Sequence, residues 1–214
     1  MLIGIAGTIG AGKSTLCKKL LDVLPELTGE PWEVLPEPVT DNPYLALFYQ
    51  EPKRWAFTMQ MFLLLRRFEA ACVSDDKNYI QDRTLQEDRI FAVLAHKQGM
   101  MTSEEFSVYE GYYKVLSSSR RILRPDVTFY LQVNLDTSIQ RISRRGREVE
   151  EGLHKSSEGK VYLQGLLDEY EQERTSPSHR GRRWKTLDWN PEDNSQGFQQ
   201  LLEALDLKPV SSGR

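Results

Sequence analysis

Eight consecutive residues limit what this chain can fold into more than any others. Gly7-Thr8-Ile9-Gly10-Ala11-Gly12-Lys13-Ser14 matches G-x-x-x-x-G-K-[ST] at every fixed position. The motif stands directly after an apolar run of strand length, Leu2 to Ala6, and opens the stretch Lys13 to Leu24, where Leu16, Leu20, Leu21 and Leu24 recur at helical spacing. Strand, glycine-rich turn and helix in that order make a phosphate-binding loop. The curled backbone aims its N–H groups at phosphate oxygens, and the helix N-terminus adds the positive end of its dipole. Gly7, Thr8, Ile9, Gly10, Ala11, Gly12, Lys13, Ser14 and Thr15 are therefore expected to hold a nucleoside triphosphate. Lys13 would reach the β- and γ-phosphates and the Ser14 hydroxyl would ligate Mg²⁺.

The rest of the chain repeats the strand and helix alternation that such a loop requires. Trp32–Leu35, Tyr79-Ile80 ending at Asp82, Val127–Val133 and Trp184–Leu187 read as further strands. Helices are expected from about Pro52 to Val73, around Ile90 to Leu94, after the capped start Thr102-Ser103-Glu104-Glu105, from Asp136 to Ser143, from Tyr162 to Arg174 and from Phe198 to Leu207. Thr175 to Arg183 reads as loop. The pattern predicts a three-layer α/β fold, a parallel sheet of about five strands with helices on both faces. No internal repeat or dividing linker appears, so residues 1–214 are expected to form one domain.

Composition removes several function classes. Twenty-eight Lys+Arg against 31 Asp+Glu give a net charge of -3, so no broad positive field is present to attract nucleic acid or anionic lipid. The longest apolar run, Met61 to Leu65, falls far short of the roughly 20 residues of a membrane span. Two cysteines, Cys17 and Cys72, lie far apart in apolar helical patterns, which disfavours a disulfide framework or cysteine metal site and fits a reducing compartment. With no signal peptide at the N-terminus, a cytoplasmic location is expected.

Transfer of a γ-phosphoryl group needs an oriented acceptor and cations around the charge that develops on the transferred group. Glu37, between Pro36 and Pro38, follows the second strand, where open α/β sheets place ligands. It is the candidate general base, although a solvated loop glutamate would look the same in sequence. Asp82-Arg83 repeats that placement at the end of the third strand, with a surface ion pair as the plain alternative. Arg141, Arg144, Arg145 and Arg147, with Arg120, Arg121 and Arg124 upstream, concentrate guanidinium groups in a slightly acidic chain. Such a run is usually a solvated helix face; beside a phosphate loop it reads as an arginine-rich lid over about residues 141–160. A guanine-reading N-K-x-D segment is absent, and the size favours a small-molecule kinase over a motor or helicase.

At this point the sequence resembles a known family. The stretches IAGTIGAGKST (5–15), EPVTDNPYLALFYQEPKRWAFTMQMFLLLRRF (37–68), QDRTLQED (81–88), RPDVTFYL (124–131) and RISRRGREVE (141–150) are similar to those of the deoxynucleoside kinases, most closely the bacterial deoxyadenosine/deoxycytidine kinase branch. The resemblance covers nearly the whole chain. It implies ATP-dependent phosphorylation of the 5′-hydroxyl of a deoxynucleoside, deoxyadenosine or deoxycytidine first, with Glu37 as base, Arg83 assisting it and Asp82 near Mg²⁺. It further implies Tyr49 and Glu150 on the sugar 3′-hydroxyl, Gln60 on the base edge, Arg67 and Asp88 as the pair of cytosine- and purine-accepting members, and Arg141, Arg145 and Arg147 as lid arginines. Trp55 and Phe62 are expected to pack in the core.

Asn42 stands where animal members carry tryptophan, Met59 where many relatives have an aromatic, Thr84 where serine is commoner, and residues 151–160 look longer and more flexible than the family pattern. The apolar helix around 53–73 and a neighbouring helix suggest a homodimer. A deoxyguanosine-preferring kinase is the next reading. A nucleoside monophosphate kinase would need cations where Glu37 stands, and a non-catalytic nucleotide-binding regulatory subunit would not need Glu37, Asp82 and Arg83.

Overall fold

The computed structural model describes residues 1–38, 42–175 and 184–206. The loop expected before the last strand therefore lies, past Thr175, outside the described residues, as does Leu207. Five strands form one parallel sheet: β1 (Leu2–Ala6), β2 (Trp32–Leu35), β3 (Asn78–Asp82), β4 (Val127–Gln132) and β5 (Trp184–Asp188), in the order β2-β3-β1-β4-β5. The register pairs Ile3 with Ile80 on one side and with Val127 on the other. The chain moves outward from β1 in one direction to place β2 and β3, then in the other to place β4 and β5. That reversal opens a crevice at the carboxyl ends of the central strands, where sheets of this kind bind ligands.

Period-two alternation divides the strand side chains between the two faces. Ile3, Ile5, Phe129 and Leu131 pack in one core with Leu16, Leu20 and Leu24 of α1 (Lys13–Thr28) and Leu201 and Leu205 of the last helix. Ala6 and Tyr130 face the other way, against Ile90, Phe91, Leu166 and Tyr170. Each fully buried large side chain contributes on the order of 2–3 kcal/mol, which holds the strand ends, and hence the site, in place.

Four further helices form the second layer and the structure beyond it: α2 (Leu45–Gln50), α3 (Pro52–Ala71), α4 (Leu85–Lys97) and α5 (Ser103–Ser117). The short α2 has no counterpart in the sequence reading, because six residues are too few to display a helical period. Pro52 opens α3 at its first turn, where a missing N–H costs nothing. Thr102 caps α5 as expected, its hydroxyl accepting from the Glu105 N–H at 3.1 Å. Trp55 and Phe62 pack with Tyr44, at ring-centroid separations of 5.9 and 5.6 Å.

After α6 (Leu135–Arg145) and a single 3₁₀ turn at Glu148–Glu150, the stretch expected to be flexible is helical: α7 (Glu151–Lys155) and α8 (Ser157–Thr175). Gly159 is the reason the two can pack. A Cβ there would come within 2.2 Å of the Gly152 carbonyl oxygen, so only glycine lets α8 approach α7 this closely. The polar Gly/Ser/Lys composition that suggested mobility marks a tight helix–helix contact. The last helix, α9 (Ser195–Leu205), closes the fold. Among the described residues no helix is long and apolar enough to cross a membrane.

Candidate active site

The phosphate loop leaves β1 at the centre of the crevice. Gly10 holds φ +79, and a Cβ there would sit 2.6 Å from the Ser138 carbonyl oxygen of α6. The Ser138 hydroxyl donates to the Ile9 carbonyl at 2.7 Å, so α6 is seated directly on the loop. The helix that follows begins at Gly12 with no side chain capping it, which leaves first-turn N–H groups available to an anion.

Lys13 is buried and folds back over the loop. Its Nζ donates to the carbonyls of Gly7 and Thr8, each at 3.0 Å. Burial, with Arg83 nearby, lowers its pKa to about 8 against the opposing pull of Glu37, Asp82 and Glu87. The Ser14 hydroxyl donates to Asp82 Oδ2 at 2.5 Å, while the second carboxylate oxygen, Oδ1, is buried with no hydrogen-bond partner among the described residues. Two hard oxygen donors at this spacing, one atom of them unsatisfied, fit a divalent cation such as Mg²⁺ completed by phosphate oxygens and water. Thr15 lies exposed in the first turn of α1.

Glu37 follows β2 and reaches the same crevice. Its Oε1 accepts from Arg83 Nε at 2.5 Å and from Arg67 Nη2 at 3.0 Å. Both guanidinium groups are buried, whereas the Glu37 side chain keeps 18% of its surface exposed. Burial alone would raise the carboxyl pKa, but the charges of Arg83, Lys13 and Arg67 outweigh it and hold the group at about 2. Glu37 is thus an ionised, oriented carboxylate and not a solvated loop residue.

Arg83 itself has φ +67, a left-handed conformation that non-glycine residues adopt at a cost of roughly 1–3 kcal/mol. The Arg83 N–H donates to the Ile5 carbonyl at 3.1 Å, and the guanidinium lies 4.5 Å from the Phe91 ring centroid. Arg67 pairs through Nη1 with Asp88, whose other oxygen accepts from the Tyr109 hydroxyl at 2.5 Å. The Gln60 side-chain amide, fully buried, has no partner among the described residues for either its oxygen or its nitrogen. A buried amide left open on both atoms is poised for a ligand that offers a donor beside an acceptor.

The arginine cluster divides. Arg141 donates to the Ala11 carbonyl at 2.9 Å and to the Trp189 carbonyl at 2.7 Å, linking α6 to the phosphate loop and to the residues after β5. Arg145 and Arg147 both pair with the buried carboxylate of Glu150. Burial, with the neighbouring Tyr162 and Glu150, pushes the Tyr49 phenol pKa up. Arg144 instead pairs with Glu192 in open solvent. Arg120, Arg121 and Arg124 do not belong to the site. They precede β4, whose amino end lies beside the start of β1, where the Asp126 N–H donates to the Leu2 carbonyl.

Two residues that the sequence reading did not single out join the centre. Glu87 accepts from the Gly7 N–H at 2.9 Å and from the Thr84 N–H at 2.7 Å, and the Tyr170 hydroxyl accepts from Arg83 Nη1 at 2.5 Å. The Thr84-x-x-Glu87 capping box is a sequence signal for the first. Nothing in the sequence points from Tyr170 to Arg83, 87 residues away.

A family model described as deoxynucleoside kinase matches residues 3–204. The chain is 35% identical over 152 residues to a deoxyadenosine/deoxycytidine kinase of Bacillus subtilis, covering 70% of this chain and 67% of that protein. It is 35% identical over 170 residues to a deoxyadenosine kinase of Dictyostelium discoideum, covering 78% of this chain and 64% of that one. A deoxyguanosine kinase of the same organism matches at 32% over 195 residues, 88% of this chain and 64% of its own length. The chain thus spans just under two thirds of the two Dictyostelium proteins. Among solved structures, deoxyadenosine kinase from M. mycoides with bound dCTP superposes with a TM-score of 0.81 at 28% identity, over 96% of this chain and 99% of that chain.

Proposed function

The chain belongs to the deoxynucleoside kinase family, and from that premise we propose that it transfers the γ-phosphoryl group of ATP to the 5′-hydroxyl of a deoxynucleoside. Deoxyadenosine and deoxycytidine are the first substrates to expect, in keeping with the Bacillus relative's name, and deoxyguanosine the second, in keeping with the Dictyostelium deoxyguanosine kinase. The observation that carries the reading is the Glu37 carboxylate, held by two buried arginines at the same strand ends as the phosphate loop. A phosphorylated acceptor would meet that negative charge, which disfavours a nucleoside monophosphate as substrate.

In this reading the donor phosphates lie on the loop, and Lys13 leaves its two backbone carbonyls for their oxygens. Ser14 and Asp82 would hold Mg²⁺, which when bound neutralises charge on the phosphates. Both arginines bind Glu37 Oε1, so Oε2 takes the hydrogen of the 5′-hydroxyl. A carboxylate with a pKa of about 2 is a weak base. The loose transition state of phosphoryl transfer asks for orientation first and for the proton late, as the new P–O bond forms. Gln60 reads the base edge beside Arg67 and Asp88. Arg145 and Arg147 exchange Glu150 for phosphate oxygens as the lid closes, and Glu150 and Tyr49 then bind the 3′-hydroxyl, with Arg141 anchoring the lid helix to the loop.

Residues 1–214 act as one domain. Two copies pair through α3 and α5, where Leu65 and the stripe Val108, Tyr112 and Val115 are exposed; sedimentation tests that. The free thiols of Cys17 and Cys72 suit a reducing cytoplasm. The decisive assay gives the protein Mg-ATP with a panel of deoxynucleosides, ribonucleosides and monophosphates. A 5′-monophosphate from deoxyadenosine or deoxycytidine is expected. ATP binding without any nucleoside product would favour a regulatory subunit.

A further inference from the structure

Glu87 and Tyr170 lie between the donor and acceptor halves of the site, and capping α4 does not account for their contacts. The cap uses only one oxygen of Glu87: Oε2 accepts from the Thr84 N–H at 2.7 Å and from its hydroxyl at 3.2 Å. The other, Oε1, accepts from the N–H of Gly7, the first residue of the phosphate loop, at 2.9 Å and lies 3.5 Å from Arg83 Nη1. Both side chains are fully buried.

The Tyr170 hydroxyl accepts from Arg83 and has two acceptors within reach, Glu87 Oε1 at 2.7 Å and the Gly7 carbonyl at 3.0 Å. Burial pushes its pKa well above the ordinary phenol value, so it keeps its single proton and donates to one of the two at a time. The Gly7 carbonyl is also the group that Lys13 holds at 3.0 Å. One carbonyl of the phosphate loop is therefore shared between the lysine that binds donor phosphate and the tyrosine that binds the acceptor-side arginine.

We propose that Glu87 and Tyr170 are a positioning pair through which occupation of the phosphate loop sets Arg83, and with it Glu37, for the acceptor. The proposal rests on the kinase reading. Phosphate draws Lys13 off the Gly7 carbonyl, and the Tyr170 hydroxyl turns its proton from Glu87 to that carbonyl. Glu87 Oε1, relieved of one donor, then takes Arg83 Nη1 into a full hydrogen bond. No covalent bond changes: two hydrogen bonds move, those of Lys13 and Tyr170, and the Arg83–Glu87 contact shortens. The strained backbone at Arg83 keeps its guanidinium between these partners and Glu37, so a small shift at Nη1 alters the hold on the carboxylate.

Calorimetry tests this by titrating the tightest-binding of deoxyadenosine, deoxycytidine and deoxyguanosine into the full chain, with and without Mg²⁺ and a non-hydrolysable ATP analogue. The analogue is expected to tighten nucleoside binding by at least about fivefold, with the reciprocal effect equal. Tyr170→Phe retains the ring stacked on Tyr130 at 5.5 Å and the edge contact with Phe91 at 6.4 Å. It should reduce the coupling to below about twofold while each separate affinity changes less than about fivefold; Glu87→Gln should reduce the coupling as well, with a loss of analogue affinity because its amide nitrogen meets the Gly7 or the Thr84 N–H. Coupling that persists unchanged in both variants, or nucleoside binding that is uncoupled in the wild-type protein, overturns the proposal alone. A wild-type protein that binds the analogue but no nucleoside overturns the kinase reading, and the pair's role with it.

Discussion

In the proposed function the donor side takes its groups from consecutive residues, Gly7 to Ser14, and would work mainly through backbone N–H groups and one lysine. The acceptor side collects Glu37 after β2, Arg67 from α3, Arg83 from the turn after β3 and Asp88 from α4, and works through buried side-chain charges that neutralise one another. Lys13, by contrast, is a buried cation with a depressed pKa and only carbonyls for direct partners. On the proposed function, the donor half is a place prepared for charge that arrives with the ligand, whereas the other cluster already contains both signs and is part of what holds the fold together.

The largest expected break in that contrast is Lys13→Met. Turnover should fall about 10³-fold, because charge on the transferring group goes unneutralised, while thermal stability holds or rises, since a poorly compensated buried ammonium is gone. Steady-state kinetics and a thermal melt on the same sample check both halves. Asp88→Asn should behave in the opposite sense: Arg67 keeps only Glu37, which it shares with Arg83, and unfolding in urea should show a loss of about 2 kcal/mol.

The difference also explains what could be read in advance. The strand-turn-helix arrangement around Gly7–Ser14 is legible because it needs local order alone, and β1, β4 and the long helices are legible because burial imposes a clean period. Glu37 and Asp82-Arg83 can be suspected from their places after strands, but what removes the solvated-loop and surface-pair alternatives is burial and the double arginine contact, which arise only when β2 and β3 pair and Arg67 is brought in from α3, packed on α4 and α5. Residues 151–160 were misread because a glycine that permits close helix packing looks in sequence like one that loosens a chain. Arg120, Arg121 and Arg124 stand close in sequence to the Arg141–Arg147 cluster, yet the parallel register sends them to the amino end of the sheet.

A pH series sharpens the donor side. With the Lys13 pKa lowered to about 8 in the free protein, its charged form is lost as pH rises through that value, and phosphate binding must restore the proton. ATP affinity should therefore weaken about tenfold from pH 7 to pH 9, with proton uptake visible in calorimetry, and Lys13→Met should abolish that slope. Glu37 behaves oppositely: its depressed pKa of about 2 means that its part in stability is present above about pH 4.5 and is lost progressively as pH falls from there to about 2. The smallest effect belongs to Arg144→Ala. Its partner Glu192 lies in open solvent, so stability and turnover should stay within about 0.5 kcal/mol of wild type, in contrast to its neighbour Arg145.

In the proposed function, the Glu37 carboxylate clamped by Arg67 and Arg83 directs the acceptor hydroxyl at the donor phosphate. Rapid-quench measurement of a single turnover in Glu37→Gln, with ATP and deoxynucleoside both saturating, tests it most directly. The transfer step should slow by about 10²–10⁴-fold while the ATP dissociation constant stays within about threefold. A transfer rate within about threefold of wild type would contradict the account, since the two arginines would then be holding a group that the reaction does not use.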